Sequence, residues 1–163
     1  MDINVTGLDI SETALQYAKA ILPKGNFLKQ NIGKEYPFQN ESFDIILDVT
    51  SSNSLNENER SIYLKEINRV LKPSGYLFIR TLCKDGDKNA QNLLKNFPGK
   101  EKDTYIMPEI QLTEKVFSKD EFIKTYSQFF EIIKLEKETH YTKFNNRSFK
   151  RNFWIGYLKK LAK

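Results

Sequence analysis

The order of apolar segments in this chain predicts an α/β fold: a mostly parallel sheet covered by helices and closed by an antiparallel hairpin. Three observations carry that prediction. FDIILDV, residues 43–49, is the near-continuous apolar run that a strand buried on both faces requires. It leads through a helix-periodic stretch, ENERSIYLKEINRVL, into the strand-like GYLFIRTL, which is the alternation of a parallel, helix-covered sheet. The final segments, FFEIIKLEKET and RNFWIGYLKK, are joined by HYTKFNNRSFK, a connection too short for a crossover helix, so they are predicted to pair antiparallel.

INVTGLDI reads as a strand ending in Asp9, with Ser11 placed as the N-cap of the following helix. In SETALQYAKAIL the apolar Ala14, Leu15, Ala18, Ile21 and Leu22 share one face, and Pro23 with Gly25 ends the helix. NFLKQNI gives a short strand from about Asn26 to Gln30, and FDIILDV ends at Asp48 and Val49. From Glu57 to Leu71 the residues Tyr63, Ile67, Val70 and Leu71 line one helix face, with acids early and cations late as the helix dipole prefers. KPSG is a stop and turn before a strand from Gly75 to about Leu82. Residues 84–112, with DGDKN, FPGKEKD and Pro108, break the rhythm and read as a long loop of the kind that carries function. SKDEFIKTY restarts it as a helix with a capping box between Ser118 and Glu121.

The length of 163 residues suits one domain. The start of the chain has no basic segment followed by an apolar one, no run approaches the roughly 20 apolar residues of a membrane span, and the single Cys83 has no internal disulfide partner. A reducing cytoplasm is the expected compartment. The net charge of +5 favours anionic partners, but the lysines are interspersed with acids except in the tail from Lys143 to Lys163. A solvated surface is the expectation, rather than a nucleic-acid groove. No Cys/His cluster suggests a metal site.

The succession NVTGLDIS, FLKQNI, YPFQNESFDIILDV and YLKEINRVLKPSGYLFIRTL resembles the class I S-adenosylmethionine-dependent methyltransferases. The resemblance spans nearly the whole chain and implies a Rossmann-like sheet whose last two strands form an antiparallel hairpin. It implies S-adenosylmethionine as cofactor and methyl transfer; the segments 84–112 and 139–150 are best placed to shape an acceptor pocket, and their aromatics Phe97, Tyr105, Phe144 and Phe149 would suit a small organic acceptor or simply pack beneath a loop. Asp9 matches the acid that accepts from both ribose hydroxyls, and a carboxylate has oxygens for both. Ile10 would pack on the adenine. Asn31, beside Ile32, stands where the family most often has an Asp that accepts from the adenine amino group. Asp48 and Val49, followed by Thr50, end a strand whose carboxyl end faces the methionine half of the cofactor. Other readings of these residues stand beside these. Asp9 could be favourable charge at a helix N-terminus, and Asp48 could simply end a buried strand.

His140 and Tyr141, between the last two strands, are candidates for a base that takes a proton from the acceptor, although a His in a polar connection can equally be solvated. Cys83 could approach the site or act as a small buried filler.

The family's glycine-rich turn between its first strand and first helix has no counterpart, since none of the seven glycines forms a G-x-G pair. That first strand is central in the family, between those equivalent to Ile3–Asp9 and Phe43–Val49. Three explanations offer themselves: the chain is a truncated form, another chain or second copy supplies the strand, or the sheet has closed around the gap. Truncation is the expectation, with weak or absent cofactor binding by these residues alone. The alternative function is a non-catalytic, methyltransferase-like subunit that acts by binding.

Overall fold

The computed structural model describes residues 3–144 and 146–162, with the side chains of Thr142 and Phe144 outside that description. Thr6–Asp9 (β1) and Asn26–Lys29 (β2) pair in parallel, Thr6 opposite Asn26 and Asp9 opposite Lys29. The helix between them, Glu12–Ile21 (α1), starts at Ser11, whose hydroxyl accepts from the Ala14 N–H at 3.3 Å. Phe43–Val49 (β3) runs through the helix Glu57–Val70 (α2) into Leu71–Leu82 (β4), again in parallel. The KPSG turn is absorbed as an irregularity at the start of β4: the register shifts between Phe43 and Ile45, and Ser74 takes a φ of 60°.

The predicted hairpin is present, and it is longer than its alternating core. Phe130–Phe144 (β7) pairs antiparallel with Arg147–Lys160 (β8), and β8 with β4, giving the order β3-β4-β8-β7. His140 and Tyr141 therefore lie in a strand, opposite Arg151 and Lys150, and not in the polar connection the sequence suggested. Threonines, an aromatic and long side chains tolerate an exposed ladder well, so polarity alone did not mark the strand's end. The stretch 84–112 is likewise more regular than predicted. It holds a helix, Lys88–Asn96 (α3), and a small hairpin, Thr104–Met107 (β5) with Leu112–Lys115 (β6), before the helix Lys119–Tyr126 (α4). Ser118 caps α4 as expected, but the Glu121 side chain turns to the Lys115 ammonium at 2.6 Å.

The main core lies where α2 and α4 meet one face of the larger sheet, through Tyr63, Ile67, Ile79, Phe117, Phe122 and Leu158. A second core, with Leu82, Ala90, Tyr105, Val116, Phe153 and Ile155, anchors the 84–115 segment to β8. Beneath it runs a buried polar chain. The Asp87 carboxylate caps α3 by accepting from the Ala90 N–H at 2.8 Å, and it also accepts from the Asn152 N–H at 2.7 Å and Arg151 Nε at 3.3 Å. Arg151 Nη2 donates to the Tyr105 hydroxyl at 2.8 Å, which donates to Glu114.

The sheet has not closed around the expected gap: β1 and β2 form a pair of their own, and β3, β4, β8 and β7 a separate sheet.

Replacing Asp87 with Ala removes a helix cap and leaves Arg151 as a buried charge without its carboxylate. Urea unfolding should show a loss of about 3–5 kcal/mol; a loss below about 1 kcal/mol would mean the pair is solvated and does not anchor the segment.

Candidate functional site

Parallel strands gather their carboxyl ends at one edge, and a side-chain bridge ties two parts of that edge together. Asn31, just past β2, donates from Nδ2 to Glu59 Oε1 at 3.3 Å, while its Oδ1 accepts from the Gly33 N–H at 2.7 Å. Glu59 sits in the first turn of α2, where it forms a reciprocal capping box with Asn56. Since α2 begins just after the carboxyl end of β3, the ends of β2 and β3 share one edge. Glu59 was not singled out from sequence as a site residue, although Asn56 followed three residues later by a Glu is a legible capping signal.

Asp9 ends β1, half-buried, and its Oδ1 accepts from the Ser11 N–H at 2.8 Å. Among the described residues, Oδ2 has no hydrogen-bond donor. Ile10 beside it is 68% exposed, an apolar side chain held at the rim. Ile32 is half-buried, and its carbonyl accepts from the Tyr36 hydroxyl at 3.1 Å. These three and Asn31 are brought to the same edge.

Asp48 is buried and fully engaged. Oδ1 accepts from the N–H groups of Ser51 at 3.0 Å and Ser52 at 3.4 Å, and Oδ2 accepts from the Tyr63 hydroxyl at 2.7 Å. Its carboxylate thus caps the 3-10 turn Ser52–Ser54 and pins the end of β3 to α2. Burial, and then the adjacent Asp48 charge, push the Tyr63 hydroxyl far above its ordinary pKa, so it stays a donor. Val49 projects outward, and Thr50 turns the chain with a φ of 61°, a strained value for a β-branched residue.

His140 and Tyr141 also reach this edge. The last pair of β4 with β8 is Leu82 with Phe153, so the hairpin projects past the carboxyl end of β4. Both side chains are exposed; His140 Nε2 lies 2.9 Å from Glu138 Oε2, and neither residue lines the cavity described next. Cys83, at the end of β4, is buried with its Sγ 3.5 Å from the Asp85 carbonyl, and burial pushes its thiol up to about 11.

A cavity of about 490 Å³ separates β1 from β3. Gly7 and Leu8 form one wall, Ile46 and Asp48 another, and Tyr63 and Ile67 of α2 the floor.

Residues 1–79 match the sequence model of a family described as "Methyltransferase domain". A phthiotriol/phenolphthiotriol dimycocerosates methyltransferase of Mycobacterium tuberculosis is 36% identical over 73 residues, which is 44% of this chain and 26% of that protein. The match therefore spans about a quarter of that curated relative's length. Among solved structures, a protein of Methanosarcina mazei described as a SAM-dependent methyltransferase superposes with a TM-score of 0.80 at 23% identity, covering 98% of this chain and 83% of that one. The 1,6-didemethyltoxoflavin-N1-methyltransferase of Burkholderia thailandensis, solved with S-adenosylhomocysteine, superposes with a TM-score of 0.66 at 16% identity, covering 98% and 62%.

Tyr63→Phe removes one donor from a buried carboxylate. It should lower stability by about 1.5–3 kcal/mol in denaturant unfolding; no change would show that Asp48 is satisfied without it. The Cys83 thiol should resist alkylation at neutral pH. Because its pKa is raised in the folded state, the stability it lends is complete below pH 9.0 and is lost as pH climbs toward 11. Alkylation at pH 8 as fast as in the urea-unfolded chain would contradict its burial.

Proposed function

We propose that this chain, built on the fold of the class I S-adenosylmethionine-dependent methyltransferases and carrying the methyltransferase-domain match in its first half, binds S-adenosylmethionine across the carboxyl ends of β1, β2 and β3 and serves methyl transfer to a small organic acceptor. The observation that carries this reading is Asp9: a half-buried carboxylate at a strand end, with one oxygen engaged and the other, among the described residues, without a donor, beside the exposed Ile10.

The residues fit the adenosine half of the cofactor. Asp9 Oδ2 is an acceptor for ribose hydroxyls, and Ile10 and Ile32 offer apolar surface to the base. Asn31 is less free than its sequence suggested, because Gly33 and Glu59 already occupy its carbonyl and amide. One acceptor lone pair on Oδ1 is left for the adenine amino group. Asp48, with both oxygens engaged, acts by position: it fixes Val49 to Ser52 where the methionine half would lie.

The cofactor, when bound, would supply a methyl group activated by a positive sulfur. The protein's share is orientation and exclusion of water. His140, oriented by Glu138, and Tyr141 stand on the projecting hairpin as the groups to accept the acceptor's proton. The small-molecule class of acceptor rests on the relatives of Mycobacterium tuberculosis and Burkholderia thailandensis. No helix among the described residues is long and apolar enough to cross a membrane, and a lone buried cysteine suits a reducing cytoplasm.

A second reading, a non-catalytic subunit acting by binding, is favoured by the open space between β1 and β3, which leaves one wall of the site bare.

Asp9→Asn keeps an acceptor for the Ser11 N–H but removes the charge. Calorimetry with S-adenosylmethionine should show affinity falling roughly 10- to 100-fold with the melting temperature unchanged. Unaltered affinity would remove Asp9 from the ribose site.

A further inference from the structure

We infer that Arg80 anchors the acceptor: its guanidinium pairs with a carboxylate on the molecule to be methylated, which makes that molecule a small organic acid. The inference rests on the methyl-transfer reading of the site and adds to it a substrate class and a specificity-determining residue.

Arg80 is an arginine without an anion. Arg60, Arg69 and Arg151 each meet a carboxylate, that of Glu101 at 2.8 Å, of Glu66 at 2.7 Å and of Asp87 at 3.3 Å. Arg80 is half-buried, yet among the described residues its guanidinium has neither a hydrogen-bond acceptor nor an ion-pair partner. Burial lowers its pKa from the ordinary value, and the charge of Glu138 opposes that. Glu138 is itself engaged, because its Oε2 is turned to His140 Nε2 at 2.9 Å. Taking a cation partly out of water costs free energy that an anion normally returns, and here the protein supplies none in contact.

The guanidinium is also held in one pose. Its central carbon stands 3.5 Å from the centroid of the Phe153 ring. At that separation the two planes must lie flat on one another, since an edge-on guanidinium would drive its hydrogens into the ring. Stacking of this kind leaves the N–H groups in the plane of the fork, directed sideways, where they match the two oxygens of a carboxylate. A group whose only task was to cover Phe153 would need no charge, and a methionine or leucine would cover it without the desolvation cost.

Register places the fork beside the proposed chemistry. Arg80 is opposite Val49 of β3 and Ile155 of β8, and its carbonyl accepts from the Thr50 N–H at 2.8 Å. Leu82 and Phe153 form the last rung between β4 and β8, so a guanidinium over Phe153 lies level with the carboxyl edge. Paired residues share a face, and Phe153 is in turn opposite Glu138 of β7. The His140 ring stands 6.0 Å from that of Phe153. One face of the edge thus runs from Val49, where the methionine half of the cofactor would lie, past Arg80 to His140, the group proposed to take the acceptor's proton. A carboxylate on Arg80 holds its molecule between the two. One fork with Glu138 in its field suits a single negative charge; a phosphate dianion calls for more donors than this face offers.

The test follows the Arg80 Nε–Hε resonance while benzoate, and separately its neutral isostere benzamide, is titrated at about 0.15 M chloride and constant ionic strength. Benzoate should give a saturable shift and benzamide none. Arg80→Met keeps the stem over Phe153 and removes the fork; benzoate affinity, read from the Val49 and Thr50 amides, should fall roughly tenfold or more. Arg80→Lys keeps the charge without the fork and should recover only part of that loss. The cofactor carries a carboxylate of its own, so a second arm compares S-adenosylhomocysteine with 5′-methylthioadenosine, which has none. Arg80→Met should leave the affinity for both unchanged. Three results would overturn the proposal: no Arg80 response to benzoate or an equal one to benzamide, benzoate binding that Arg80→Met does not weaken, or a loss of affinity for S-adenosylhomocysteine alone, which would give Arg80 to the cofactor. Benzoate binding needs no cofactor. A chain that takes benzoate at Arg80 and binds no S-adenosylhomocysteine would support the carboxylate site and remove the methyl-transfer reading.

Discussion

A strand inside a parallel sheet must give its backbone N–H and C=O groups to two neighbours, and among the described residues β1 and β3 each have one. Much of the chain's architecture follows from that constraint. The sheet divides into two blocks, the floor of the resulting cavity is the apolar face of α2, and the residues that would grip a ligand end up on both banks. Asp9 and Ile10 stand on the bank of β1, Asp48 and Val49 on that of β3. What holds the banks in register is a handful of side chains, not a ladder of backbone bonds.

Those side chains are specific. Asn31 reaches from the end of β2 to Glu59 in the first turn of α2, and Glu59 is itself held by the capping box with Asn56. Glu66, farther along α2, accepts from the Tyr36 N–H at 2.6 Å and pairs with Arg69, which donates to the carbonyls of Tyr36 and Phe38. The segment from 30 to 40 is thereby stapled along α2, and through it the β1–β2 pair is anchored to the larger sheet. The pKa of Glu66 is lowered first by its hydrogen bond from Arg69, as a carboxylate in this role requires. Asp48 does comparable work at the other bank. A buried carboxylate is costly unless its oxygens are satisfied, and two backbone N–H groups and the Tyr63 hydroxyl satisfy them.

The fold was legible where apolar residues are continuous or periodic. FDIILDV and the Tyr63, Ile67, Val70 face of α2 were expected to be a strand and its covering helix, and they are; the strand is not buried on both faces, because Ile45, Leu47 and Val49 stand exposed on the face away from α2. The short strands of the β5–β6 hairpin and the polar arm of β7 were not legible, because their stability comes from cross-strand pairing and from Tyr105, Arg151 and Asp87, which are distant in sequence. At the site, the strand-end carboxylates could be read from position alone. Their partners could not: whether Asp48 faces a ligand or a protein donor depends on Tyr63 approaching from a helix 15 residues away. Between β1 and β3 the structure has a cavity that no sequence signal located, because its walls are strands distant in the chain.

The central claim is that the carboxyl ends of β1, β2 and β3 form one adenosine-binding edge. Its most direct measurement is the change in backbone amide resonances when S-adenosylhomocysteine is titrated to millimolar concentration. Shifts should concentrate at Leu8–Ser11, Asn31–Gly33 and Val49–Ser51. Shifts confined to the Lys-rich arm of the hairpin, or none anywhere, would contradict it.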